Sequence, residues 1–333
     1  MSKKEKSGTF KIADMIYLSI CIPTYNRSNY LQDVLESFVN EPEFIETDEI
    51  EIVISDNCST DNTESIAREY VNKYPTKIKY NRNSENIVDG NFEKVLSMGS
   101  GAILKLNNDT LVLNKGSLAP LLQNIKYCCE NNLTPFLLNG TMPVYKEPIV
   151  CKNASSFIAT VSYSCTWIGG FCISRESFQK IDNFSQEYSL QLVQVDVLMR
   201  LLKKGCEFLV IPDKFYQSIV PAKKGGYNLP KVFLTNYFKI LRKYLVSTEE
   251  IKVLREEKRI MLFKFVLPWI VTISNDANKK ASNFTFDISG YKEVVKKEFS
   301  ALTYLEFEFT FLIKFILFSS KAFLKSIINT NTV

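Results

Sequence analysis

Between residues 17 and 109, short apolar runs alternate with segments of helical period, and no other feature of this chain restricts its fold as tightly. Residues 17–22 (YLSICI) read as a buried strand ended by Pro23, and 51–55 (EIVIS) as a second. Ile78–Tyr80 forms a short third strand and Ala102–Leu106 a fourth. Between the first two, Tyr30, Leu31, Val34, Leu35 and Phe38 recur at helical spacing behind Ser28, placed as an N-cap. Asp61 and Glu64 have capping-box spacing ahead of Ile66, Tyr70 and Val71, and Asn91–Met98 reads as a third helix. This alternation predicts right-handed crossovers and an α/β fold on a mostly parallel sheet. Ligands of such sheets bind beyond the carboxyl ends of the strands. Three of the strands end in polar clusters, Pro23-Thr24-Tyr25-Asn26-Arg27, Asp56-Asn57 and Asn107-Asn108-Asp109, which therefore converge on one rim.

The remainder of the chain has a different pattern. From residue 135 β-like stretches dominate, at Pro135–Leu138, Pro143–Val150, Ser164–Ser174 and Glu207–Ile211, with one helix over Leu190–Lys203. After residue 228 the sequence reads as helical to its end. The apolar segments Ile260–Ile273 and Phe309–Ser319 are short and broken by Lys264, Pro268 and Lys314, whereas a bilayer span needs about 20 apolar residues. The expected organisation is one domain over 17–228, with halves at 17–115 and 135–228, followed by a helical region over 229–333. Charge divides in a similar way. Residues 1–213 carry 21 Lys and Arg against 26 Asp and Glu, while 214–333 carry 20 against 10. An acidic front with a basic rear argues against a nucleic-acid binder and fits a basic module facing an anionic surface or ligand.

The sequence has no histidine, which excludes Ser-His-Asp and Cys-His nucleophiles, H-E-x-x-H zinc sites and imidazole acid–base chemistry. Proton transfer near neutral pH falls to a carboxylate, Lys, Tyr or thiol. The eight cysteines contain no C-x-x-C, and several sit in apolar runs where a reduced thiol behaves as a small hydrophobe. The N-terminus lacks the apolar stretch of a signal peptide, so the expected compartment is the reducing cytoplasm.

The segments SICIPTYNRSNYLQDVLESF, EIVISDNCSTDNTESI, NRNSENIVDGNFEKVL and ILKLNNDTLV, in this order over about residues 17–115, resemble the nucleotide-binding half of family-2 glycosyltransferases. Within that family the wording is similar to bacterial O-antigen sugar transferases of the abequosyltransferase type. The stretch WIGGFCISRESFQKI…VDVLMRLLKKG is similar to the family's acceptor-side region. The resemblance implies a GT-A fold, a Rossmann-like nucleotide-binding sheet with a C-terminal helical region. It also implies an inverting hexosyl- or deoxyhexosyltransferase that uses a nucleoside-diphosphate sugar. Pro23, Thr24, Tyr25, Arg27, Asp56, Asn86, Asn107 and Asn108 are then donor-binding residues. Asn107-Asn108-Asp109 occupies the place of the family's D-x-D motif, so Asp109 with Asn108 is the expected holder of Mg²⁺ or Mn²⁺. Only Asp109 is acidic there, which weakens the metal site.

Asp196, alone among the apolar residues of its helix, is the candidate base; its alternative is a helix cap or a partner for Arg200. Trp167, Gly169 and Gly170 suit an acceptor-sugar platform, with a buried Trp as the alternative. Lys223 and Lys224, in a Lys-Lys-Gly-Gly-Tyr stretch, read as a basic loop able to close on phosphate charge. The expected partners are the donor and a lipid-linked glycan acceptor of O-antigen or capsule assembly, with no nucleic acid. Phenylalanines and leucines threaded between Lys314, Lys321 and Lys325 predict peripheral contact with the inner face of the cytoplasmic membrane, with packing on the catalytic domain or on a second subunit as the alternative. Two other functions remain: a catalytically inactive sugar-nucleotide-binding protein, and a nucleotidyltransferase, which would want a Gly-rich loop where residues 17–30 have no glycine.

Overall fold

In the computed structural model, which describes residues 15–142, 144–219, 224–275 and 283–330, the early alternation becomes a five-stranded sheet. Strands β1 (Leu18–Thr24), β2 (Ile50–Asp56), β3 (Ile78–Arg82) and β4 (Ile103–Leu106) run parallel in the order β3-β2-β1-β4. The strand Cys172–Ser174 closes the β4 side as an antiparallel edge. All of β2 is buried and β1 nearly so, which is why both read as continuous apolar runs and not as alternating ones. The helix Ser28–Val39 buries Leu31, Val34, Leu35 and Phe38, each contributing about 2 kcal/mol relative to exposure.

Several local expectations are corrected. β1 continues through Pro23 to Thr24; the β4 ladder has already ended at Cys21, so the missing proline N–H interrupts no bond to that neighbour. Ser28 is the first helical residue and not the cap. Its amide donates to Asp61 Oδ2 at 3.0 Å, so a carboxylate from the next loop satisfies this helix end. Asp61 does not form a capping box with Glu64; its Oδ1 accepts from the Thr63 amide and hydroxyl, and Glu64 pairs with Arg68.

The chain clusters into two compact units. Among the described residues, one comprises those through Thr134, with Cys172–Ile181 and Phe215–Gln217; the other comprises Pro135–Phe171, Asp182–Lys214 and those from Ser218 onward. Most of the stretch expected as the second half of a 17–228 domain thus groups with the helical region. In the second unit the strands Thr134–Leu137, Phe208–Ile211 and Ile149–Cys151 form a small sheet, in that order. Only Ile149–Cys151 realises the strand expected from 143, and Ser164–Ser174 is mostly 3₁₀ turns before its last three residues. The helix Ala154–Val161 was not anticipated; Asn153 opens it with a capping box. The C-terminal region is mainly helical, but Lys224–Asn228 pairs in parallel with Phe284–Asp287, so the expected basic loop is in part a strand. The final helix is Ala301–Thr330, and only backbone is described at 224, 225 and 318–330. Among the described residues no helix is long and apolar enough to cross a membrane.

Candidate functional site

In the first unit the parallel ladders continue one residue past the strands. Asn57 N donates to Thr24 O (2.9 Å), Asn83 N to Asp56 O (2.8 Å) and Asn107 N to Cys21 O (2.8 Å). The loops after β1, β2, β3 and β4 therefore leave from one edge. Side chains then stitch them together. Thr24 Oγ1 donates to Asp109 Oδ2 at 3.0 Å, tying the tip of β1 to the loop after β4. Asn26, in the left-handed region at φ 51°, donates its amide to Ser59 Oγ and accepts from the Thr60 amide. Asparagine adopts that conformation more readily than most residues. The rim so formed presents Tyr25, 44% exposed, with Pro23, Arg27, Asn108 and Asp109 half-buried beside it.

Asp56 lies behind the rim and is fully buried. Its Oδ1 accepts from the Ser59 amide and its Oδ2 from the Tyr80 hydroxyl at 2.8 Å. Burial, and then that bond, push the Tyr80 hydroxyl up from its ordinary value. Asn57 Oδ1 accepts from the Ile87 amide, and its Nδ2 donates to Asn86 Oδ1, so exposed Asn86 is held from beneath. Buried Asn91 and Asn83 extend this amide network to Ser55.

Lys105 had no place in the sequence reading. It is fully buried in β4, and its ammonium donates to Leu106 O (3.0 Å) and Asn107 Oδ1 (2.9 Å), 4.3 Å from the Tyr216 ring centroid. Asn107 Nδ2 donates in turn to Asn108 O and Leu111 O. Lys105 thus fixes Asn107, and Asn107 fixes the loop that carries Asp109. Burial pushes the Lys105 ammonium down to about 8. The available signal was a lysine inside the run Ile103–Leu106, where a charge survives only with partners.

Among the described residues no three acidic or thiol groups gather as a metal cluster. Asp109 supplies one carboxylate and Asn108 one neutral amide oxygen. That set fits a hard divalent cation whose remaining ligands come from diphosphate oxygens and water.

Asp196 belongs to the second unit, on the helix Val193–Lys203, and is fully buried. Its Oδ1 accepts from the Tyr244 hydroxyl at 2.6 Å; its Oδ2 accepts from Gln186 Nε2 and meets Arg200 Nε, both at 2.9 Å. The pairing with Arg200 is the alternative its sequence context left open. Burial and the Asp196 bond push the Tyr244 hydroxyl up. Two residues earlier on the same helix, Gln194 donates to Thr166 O at 2.7 Å. Trp167 is half-buried between two 3₁₀ turns, and Gly169 and Gly170 are buried. A Cβ on Gly170 would lie 2.5 Å from Leu137 O, so that glycine is required by packing on a strand. Lys223 lies outside the described residues, and Lys224 is described only as the first residue of a strand.

This set of strand-end loops, on a sheet of this topology, has counterparts among known proteins. Residues 19–133 match the model of glycosyl transferase family 2. The sequence is 43% identical over 105 residues to abequosyltransferase RfbV of Salmonella typhimurium, 31% of each chain. It is 32% identical over 108 residues to a Campylobacter jejuni GalNAc(5)-diNAcBac-PP-undecaprenol beta-1,3-glucosyltransferase, 32% of this chain and 33% of that one. The match thus spans about a third of each relative's length. Staphylococcus aureus TarS 1-349 in complex with UDP-GlcNAc superposes with a TM-score of 0.55 at 19% identity, over 75% of this chain and 73% of that one. The Pyrobaculum calidifontis mannosyltransferase PcManGT, in complex with GDP-Man and Mn²⁺, gives 0.54 at 13% identity, over 91% and 87%. The fold is therefore GT-A.

Proposed function

We propose that this chain is an inverting glycosyltransferase. It moves one sugar from a nucleoside-diphosphate sugar to a lipid-linked glycan acceptor in bacterial surface-polysaccharide assembly, at the inner face of the cytoplasmic membrane. The observation that carries the reading is the Thr24–Asp109 bond, which joins the tip of β1 to the loop in the D-x-D place and fixes a polar rim at the strand ends. The RfbV and Campylobacter names support the acceptor class, since both describe transferases and one names an undecaprenol-linked substrate.

In this reading Tyr25 and Pro23 meet the nucleoside, Arg27 and Asn108 meet the diphosphate, and Asp56, Asn57 and Asn86 shape the loops around them. An acceptor oxygen attacks the anomeric carbon as the bond from that carbon to the diphosphate breaks on the opposite face. The acceptor's proton passes to a carboxylate. Asp109 and Asn108 would hold a Mg²⁺ or Mn²⁺ ion, which would supply positive charge against the diphosphate. Asp196 contributes by position: with both oxygens engaged it ties its helix to Gln186 and Tyr244. Trp167 stacks on the acceptor sugar.

A second reading, a sugar-nucleotide-binding protein without turnover, is favoured by the single carboxylate at Asn107-Asn108-Asp109. A thermal-shift screen of nucleoside diphosphates and their sugars, with and without Mn²⁺, tests the shared binding step. The expected result is stabilisation by one nucleoside diphosphate that Asp109→Ala reduces together with the Mn²⁺ effect. Indifference to every nucleotide removes both readings.

A further inference from the structure

The helix Ala301–Thr330 has two unlike sides. Phe307 and Phe311 lie against Tyr291 in tilted ring contacts, with centroids 6.0 and 6.2 Å apart, and Phe307 is fully buried. Leu302, Leu305, Phe309, Leu312, Ile313 and Ile316 are exposed, Phe309 by 67%. At 100° per residue these six fall in one stripe on the helix. Beside it runs the row Glu306, Thr310, Lys314, which with Arg259, Ile260, Phe263 and Lys264 lines a cavity of about 390 Å³.

The charges around this cavity do not cancel. Glu306 is taken up by Arg259 in a two-bonded pair, Nη1–Oε2 at 3.0 Å and Nη2–Oε1 at 2.7 Å. Lys264 and Lys314 have no carboxylate partner among the described residues. From Phe309 to Val333 the sequence holds Lys314, Lys321 and Lys325 and no acidic residue.

We infer that this face is a docking surface for an anionic bilayer, with the exposed stripe entering the acyl boundary and the cavity taking a lipid headgroup phosphate. Apolar side chains beside a row with unneutralised cations are the arrangement of helices that lie in the membrane interface. A second copy is the poorer occupant. A two-fold contact through the stripe brings Lys264 and Lys314 of one chain toward those of the other, and no acidic residue after Glu308 answers them. An anionic leaflet supplies the missing charge across the whole surface. The inference rests on the membrane placement proposed above and names the surface that makes the contact, which needs neither donor nor acceptor.

Flotation of the full chain with vesicles tests it without any sugar nucleotide, so its failure is separate from failure of the transferase reading. The protein should float with phosphatidylglycerol vesicles, lose that association as salt rises, and stay in solution with phosphatidylcholine. Lys264→Glu with Lys314→Glu should weaken partitioning at least about tenfold, as each lysine near the leaflet contributes appreciably. Leu305→Ser, Phe309→Ser and Ile316→Ser together should abolish it while leaving the melting temperature unchanged. Light scattering on the same samples should give one mass for wild type and variants. No flotation with anionic vesicles at low salt, equal flotation of the variants, or a wild-type dimer that the stripe variant converts to monomer would each overturn the inference.

Discussion

Replacing Asp196 by Asn separates a carboxylate that positions a helix from one that takes a proton. The side chain is fully buried, Arg200 is only 13% exposed, and the two meet at 2.9 Å. Removing one partner of such a pair leaves the other charge buried, at a cost of about 3–5 kcal/mol. The amide can still accept from Tyr244, which keeps the cost toward the lower end, about 3 kcal/mol, although its NH₂ then meets the donors of Gln186 and Arg200. For a unit of this size that corresponds to a fall of roughly 6–12 °C in Tm. The paired replacement Asp196→Leu with Arg200→Met removes both charges and should recover part of the loss; Arg200 also donates to Asp182 O and Phe184 O, which limits the recovery. Circular dichroism melts read the stability, and sugar transfer is then assayed well below the variant's Tm. An Asn variant that melts within about 1 °C of wild type yet transfers 10²–10⁴-fold more slowly would refute the positioning role and make Asp196 the base.

Other outcomes follow from single contacts. Lys105→Met removes the donor that fixes Asn107 and should weaken nucleoside-diphosphate binding about tenfold, read by calorimetry, with the nucleoside alone unaffected. Glu257 is raised to about 7, chiefly by burial, against hydrogen bonds from Ser162 and Tyr237. An acid with a raised folded value binds its proton more tightly in the fold, so wild type should lose stability as pH rises from about 4.5 to about 7. Glu257→Gln should lack that loss, and parallel urea-unfolding curves of the two proteins across this window would contradict it. Gly170→Ala puts a Cβ against the Leu137 carbonyl, which cannot give way, and should destabilise by about 1–3 kcal/mol in the same assay.

Much of the first unit was legible because parallel strands covered on both faces announce themselves as apolar runs, and β1 to β4 appear within two residues of where their runs lie. The convergence of Thr24, Asp56 and Asn107 followed from strand direction alone. Capping was not legible. Asp61 serves the amide of Ser28, a partner 33 residues away that no local spacing reveals. The second unit was read less well for a related reason. Ser164–Ser174 has β-like composition, but Gly170 packs against Leu137 and the chain takes 3₁₀ turns to reach it. Phe284–Asp287 pairs with Lys224–Asn228 across some sixty residues that read as helix. At the site, Asp196 was conspicuous as a carboxylate among valines, but its partners Gln186 and Tyr244 are distant in sequence. The role of Lys105 was not legible because its contacts with Asn107 Oδ1 and the Tyr216 ring exist only in the fold.

The central claim is transfer, and the most direct measurement follows both products of the reaction. The intact chain is incubated with the nucleoside-diphosphate sugar that stabilises it, Mn²⁺ and a polyprenyl-diphosphate-linked glycan. Released nucleoside diphosphate and glycosylated lipid are then counted in the same sample. The account predicts equal amounts of the two, one sugar added per acceptor, an inverted anomeric configuration and loss of both products in Asp109→Ala. Saturable binding of the donor with neither product, or release of pyrophosphate in place of a nucleoside diphosphate, would contradict it.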